Sequence, residues 1–177
     1  MDKITFQPEQ VLDLWFPDNG FWETEEGFSG WISERMHGGM DQTICQNFVE
    51  LTHAAARGEL DHWAETAEGR AALLIALDQF PRSLWRDTPA AYAQDIKANR
   101  LVLEGVASGH FAAVKPWKKL FYIIALGHCE GPDHLDRITL LEELAEVVIA
   151  ENPPQLAHTA DMFRAQNARV RSVIERF

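Results

Sequence analysis

Apolar positions recur at three- and four-residue intervals along nearly the whole chain, and proline, glycine and hydroxyl residues divide them into helices. Gln7-Pro8 opens a first helix carrying Val11, Leu12, Trp15 and Phe16, and Pro17-Asp18-Asn19-Gly20 stops it. Residues 21–39 are aromatic and glycine-rich, with Phe21, Trp22, Phe28 and Trp31, and read as a loop with a short helix. Asp41 is placed to cap a helix with Ile44, Phe48 and Leu51 on one face, ending near Gly58. A further helix is predicted from about Thr66 to Phe80. Thr88-Pro89 then starts another that ends at Gly109. On it Tyr92, Ile96, Leu103 and Val106 form one strip, and Ala91, Asp95, Ala98 and Val102 the adjoining one. Pro116 opens a short apolar helix through Leu126, and GHCEGPDH reads as a loop. Asp133 or Asp136 begins the helix bearing Ile138, Leu141, Ala145 and Val148, which Asn152-Pro153-Pro154 breaks. A last helix spaces Leu156, Ala160, Phe163, Asn167, Val170, Ile174 and Phe177 along one seam, where Asn167 requires a partner. No segment shows strand alternation, so the chain reads as an all-α, single helical domain over 1–177.

One stretch departs from simple amphipathy. LLIALDQFPRSLWRDTPAAYAQD, residues 73–95, places Asp78 and Gln79 inside an apolar run, breaks at Pro81, and adds Arg82, Arg86 and Asp95. Ionisable groups in apolar surroundings are costly unless paired. The segment therefore predicts a buried polar network, either a ligand site or the element that locks two helices in register.

Composition sharpens the picture by exclusion. Apolar residues make up 46% and charged residues 24%, the balance of a globular chain, and a formal charge of −11 opposes nucleic acid and anionic membranes. Lys115, Lys118 and Lys119 around Trp117 are the one basic cluster and read as a solvated face. Cys45 and Cys129 lie far apart with no CxxC, which predicts no disulfide and a reducing compartment. MDKITFQPEQ has no apolar signal core, and the runs Ala71–Leu77 and Leu120–Leu126 are too short for a bilayer. A cytoplasmic protein is expected. Two loose echoes, AAARGELDHW (54–63) and GVASGHFAAVKPW (105–117), hint at repeated helical hairpins.

The motif LDQFPRSLWRDTPAAYAQD (77–95), with VLDLWFPD (11–18) and FYIIALGHCE (121–130), resembles the signature of the bacterial family called domain of unknown function 924. The resemblance implies a compact array of antiparallel helices, a tetratricopeptide-like α-α superhelix, and no established reaction. Three positions depart from the family pattern. Ser83 stands where asparagine is usual, Asp87 where glycine precedes the threonine, and Cys129 where serine is usual. Family members commonly continue past the last helix with a glycine-arginine-phenylalanine-proline stretch, whereas this sequence stops at Phe177, so a pocket carried over from relatives is expected to be incomplete.

Asp78, Gln79, Arg82, Arg86, Asp95, His128 and Glu130 fall on matching motif positions and form the candidate ligand-binding set. Arginine offers a planar fork for phosphate or carboxylate, and imidazole exchanges protons near neutrality. Alternatively, Asp78 and Asp95 pair with Arg82 and Arg86 and only lock the helices. GHCEGPDHLD gathers His128, Cys129, Glu130, Asp133, His134 and Asp136, but neither HxxxH nor CxxC occurs, so no metal and no cofactor is expected. Cys129 lacks a nucleophile-elbow pattern. The aromatics of 15–31 are predicted to be core, the other option being an exposed partner groove. Two functions remain open at this point. One is a non-catalytic binding module for a protein or peptide partner or a small anionic ligand. The other is an enzyme or sensor for a small acidic metabolite using Arg82, Arg86, His128 and Glu130.

Overall fold

Helix starts follow local chemistry through most of the chain. The computed structural model describes residues 5–128 and 133–176, and all regular structure among them is helical. Helix α1 (Pro8–Trp15) begins with proline at its first position, and the Gln10 side chain accepts from the Gln7 N–H at 2.8 Å. Helix α2 (Glu25–Met36) is longer than the short helix expected within a loop over 21–39. Thr24 accepts from the Gly27 N–H at 3.0 Å, and Phe28, Trp31 and Arg35 share its buried face. Its glycines concealed a helix whose stability comes from that one packed stripe rather than from propensity.

The expected helix from Asp41 is two, α3 (Asp41–Asn47) and α4 (Val49–Ala56), hinged at Phe48. Asp41 sits inside the first turn instead of capping it, and the chain turns out at Gly58 with φ +81°. Helix α5 (Ala67–Asp78) starts at Thr66, whose hydroxyl accepts from the Gly69 N–H at 3.0 Å. Every residue from Gly69 to Asp78 is buried, because α5 packs against α1, α4 and the helices that follow it. Gln79 keeps a helical backbone, so α6 (Phe80–Leu84) follows at once, and the Pro81 break is a tight junction rather than a loop.

Thr88-Pro89 starts only a 3₁₀ turn (Pro89–Tyr92), with the Thr88 hydroxyl donating to the Trp85 carbonyl at 2.7 Å. The helix proper, α7, runs Asp95–Ala107 and ends before Gly109 at φ +82°. Of its two strips, the one with Ala91, Asp95, Ala98 and Val102 faces inward, while Tyr92, Ile96 and Leu103 are exposed, Ile96 at 73%. Short α8 (His110–Ala113) leads to α9 (Pro116–His128), two residues longer than its apolar pattern. Helix α10 (His134–Glu151) packs on α9, and α11 (Thr159–Ile174) packs on α10 after a 3₁₀ turn at Pro154–Leu156. Asn167 is buried, and its side chain forms no hydrogen bond among the described residues.

The core is strongly aromatic. Trp15 meets Phe80 and Phe121 edge-on at 5.9 and 5.6 Å, Phe21 stacks on Trp31 at 4.2 Å, and Phe16, Phe28 and Trp31 are buried with them. Trp22 stacks on Trp117 at 4.8 Å. Of the lysine cluster only Lys115 is the solvated residue expected. Lys119 is 1% exposed, its ammonium bonded to Glu151 and lying 5.3 Å over the Phe111 ring, and Lys118 pairs with Glu68. No helix among the described residues is long and apolar enough to cross a membrane.

Candidate functional site

The junction at Pro81 aims the end of α5, all of α6 and the start of α7 at one another. Asp78, the last residue of α5, is 1% exposed and accepts from three donors. Gln79 Nε2 lies 2.6 Å from one carboxylate oxygen; His128 Nδ1 at 2.9 Å and Arg82 at 3.4 Å approach the other. Arg82 also donates to the Asp78 carbonyl at 2.6 Å, relieving an orphan acceptor at the helix end. Its two terminal nitrogens meet both oxygens of Asp95 at 2.9 Å each, a fork-on-fork pair, and its guanidinium lies 5.3 Å over Tyr92. Asp95 opens α7, where a carboxylate also complements the helix dipole.

The electrostatics of the pair are unequal. Burial, with the Asp78 charge adding to it, holds the Asp95 carboxyl above its ordinary value against the pull of the Arg82 hydrogen bonds and charge. Burial opposes the Arg82 charge as well, but the Asp95 hydrogen bonds and the Asp78 charge outweigh it and raise the guanidinium. The network is thus held by the arginine, and a buried ion pair of this kind is not free stability.

Five of the seven candidate residues therefore converge: Asp78, Gln79, Arg82, Asp95 and His128. The sixth, Arg86, does not pair with Asp78 or Asp95 as the sequence suggested. It stands half-exposed and bonds Asp41 at the start of α3, because the turn of α6 carries it past the network. The seventh, Glu130, lies outside the described residues, as does Cys129.

In front of the network is a cleft of about 260 Å³. Asp78 and Asp95 are behind its wall, while Arg82, Arg86, His128, Gln79 and Ser83 line it with Trp15, Tyr92 and Asp87. Arg35 is a lining residue that the sequence did not single out. Its buried guanidinium donates to the carbonyls of Trp15 (2.6 Å), Trp31 (3.0 Å) and Leu14 (3.1 Å), closing the end of α1, and lies over the rings of Trp15 and Trp31. Burial lowers its pKa, with the neighbouring Glu34 opposing. Only its position four residues after Trp31 and seven after Phe28, on one helix face, distinguished it in sequence, and that signal is not specific. Asp41 was read as a cap and is instead the carboxylate at the cleft mouth. Among the described residues no His, Cys, Asp and Glu side chains gather as a metal-holding group.

Chemically, the lining itself presents three arginines and a histidine against two aspartates, an excess of cationic donors at the cleft surface, with Asp78 and Asp95 balancing Arg82 from behind. Such a lining suits an oxyanion. The match to the family described as bacterial protein of unknown function (DUF924) spans residues 11–177, and the chain belongs to that family. A solved structure of a protein of unknown function from Agrobacterium tumefaciens is similar at 28% identity and a TM-score of 0.62, covering 92% of this chain and 82% of that one. No curated protein matches.

Proposed function

We propose that this member of a family without an assigned reaction is a non-catalytic binding module whose cleft takes a small anionic ligand, a carboxylate or phosphate. The observation that carries this is the arrangement of charge about the cleft wall: Arg82 and His128 line it with the carboxylates that orient them, Asp95 and Asp78, behind, while Arg86 meets Asp41 at the mouth. Arg82 is preorganised by Asp95 and Asp78, so little side-chain freedom remains to be lost on binding. Arg86 is the half-exposed contact, and an incoming anion takes the place of Asp41 on it.

Size narrows the ligand. At about 30 Å³ per water, the cleft has room for eight or nine waters, hence a ligand on the order of ten non-hydrogen atoms. A peptide helix, 10–12 Å across by general geometry, is too wide, so a peptide would enter only by a chain end. The tetratricopeptide-like superhelix implied by the family resemblance belongs to the same proposal, supported by the consecutive packing of α9, α10 and α11. A cytoplasmic location belongs to it too, supported by the free, exposed thiol of Cys45. The alternative of an enzyme or sensor for an acidic metabolite draws on one observation, the hydrogen bond from His128 to the buried Asp78.

The test is calorimetric titration of succinate and inorganic phosphate into wild type and Arg86→Ala. Saturable binding to wild type, weakened about tenfold or more in the variant, supports the proposal. Silence with both probes, alongside capture of a peptide C-terminus, replaces it with the peptide alternative.

A further inference from the structure

The cleft is not lined by donors alone, and the exceptions specify its ligand. Asp78 accepts from Gln79, Arg82 and His128, so it acts as an acceptor-only carboxylate and the Nδ1 of His128 carries the hydrogen between them. The other ring nitrogen, Nε2, is turned away from Asp78, and no hydrogen bond engages it among the described residues. In the neutral imidazole that nitrogen is an acceptor. Gln79 spends its amide nitrogen on Asp78, which leaves its carbonyl oxygen as a second acceptor on the lining.

A bare oxyanion satisfies the arginines and leaves the two acceptors, His128 Nε2 and the Gln79 carbonyl oxygen, unmet, because carboxylate oxygens only accept. A hydroxyl both donates and accepts. We propose that the cleft selects small hydroxycarboxylates, the ligand carboxylate lying on Arg86 and its hydroxyl donating to His128 Nε2, with Asp78 holding the imidazole in the tautomer that reads it. The proposal rests on the anion-binding assignment and adds the chemical class. Asp78 acts here as a positioning residue and His128 as the group that touches the ligand.

A site built around a hydroxyl rejects the analogue lacking it by large factors when fully buried. The His128 side chain is one-third exposed, so water replaces part of the missing bond and the expected discrimination is smaller, about tenfold to a hundredfold. The experiment is calorimetric titration of malate and succinate, a pair differing by one hydroxyl, at about pH 8 where histidine is ordinarily neutral. Wild type is expected to bind malate about tenfold or more tightly than succinate. His128→Phe is expected to abolish the preference, so that malate binds no more tightly than succinate does to the same variant. His128→Gln, which supplies an amide N–H for Asp78 and a carbonyl for the ligand, is expected to restore part of the preference, and it decides the matter if His128→Phe fails to fold. Equal binding of the two acids by wild type overturns the hydroxyl selection and leaves anion binding standing. A preference that survives unchanged in both His128 variants overturns the assignment to His128. Binding of neither acid overturns the anion assignment itself.

Discussion

Replacing Arg82 by alanine isolates what holds the α5–α6–α7 junction together. The variant loses the paired hydrogen bonds to Asp95 at 2.9 Å, the contact with the Asp78 carbonyl at 2.6 Å and the stacking on Tyr92. Asp78 keeps His128 and Gln79, but Asp95, 8% exposed, is left without its cation. Orphaning one partner of a buried pair costs about 3–5 kcal/mol. For a chain of 177 residues, at about 2–4 °C per kcal/mol, the melting temperature should fall by about 6–20 °C. The loss should also depend on pH with a definite sign. Burial already holds the Asp95 carboxyl above its ordinary value against the pull of Arg82, and removing Arg82 raises it further. A group whose pKa is raised by folding binds more protons in the native state, so its contribution is present below its unfolded value and is lost as pH rises through the folded one. The deficit of Arg82→Ala should therefore be largest near neutrality and shrink on acidification towards about pH 4. The double variant Arg82→Ala/Asp95→Asn should recover part of the loss at neutral pH, since no charge is then stranded. Urea melts of the three proteins at two pH values measure this. Unchanged stability, or a deficit that grows as pH falls, refutes the reasoning.

Three further substitutions probe the frame around the site. Gly69→Ala should destabilise by about 1–3 kcal/mol in a chemical melt, although alanine favours helices, because its Cβ would stand 2.2 Å from the Trp63 carbonyl oxygen. Stability equal to wild type contradicts that packing. Asp87 has φ +62°, so Asp87→Gly should be more stable than Asp87→Ala by about 1 kcal/mol in the same assay, and the reverse order rules out the left-handed turn. Lys119→Met should stay within about 1 kcal/mol of wild type because half-exposed Glu151 is hydrated when released, whereas Lys119→Ala should lose about 2–5 kcal/mol to a cavity; equal losses contradict this.

The helix starts that rest on local chemistry were legible: Pro8, Thr66 and Pro116 open helices, and Gly58 and Gly109 leave them with positive φ. The polar network was legible for a different reason. Asp78 inside LLIALDQF has no solvent to face, so a partner was required; Arg82 stands one turn on, and Asp95 joins that arginine from the start of α7. The failures concern choices made by tertiary packing. Either strip of α7 is apolar enough to be core, and only contact with α5 and α9 decides that Ala98 and Val102 go in while Ile96 stays out. Lys119 reads as solvated because its four-carbon stem can be buried only where Glu151, thirty-two residues away, comes to meet it. Arg35 was missed because the carbonyls it closes belong to a different helix. Arg86 carries the same kind of error in reverse: adjacent to the network in sequence, it is rotated onto Asp41 by one turn of α6. Asp87 was noted as standing where relatives carry glycine, and its positive φ supplies the physical reason for that preference.

The central claim, that the lining arginines and His128 receive an anion, is tested most directly by a crystal structure of the protein saturated with malate. The expected result is an ordered molecule in the cleft with its carboxylate on Arg86 and within hydrogen-bond reach of Arg82 and His128, and with Asp41 displaced. A cleft holding only water at saturating malate, with the Arg86–Asp41 pair intact, contradicts it.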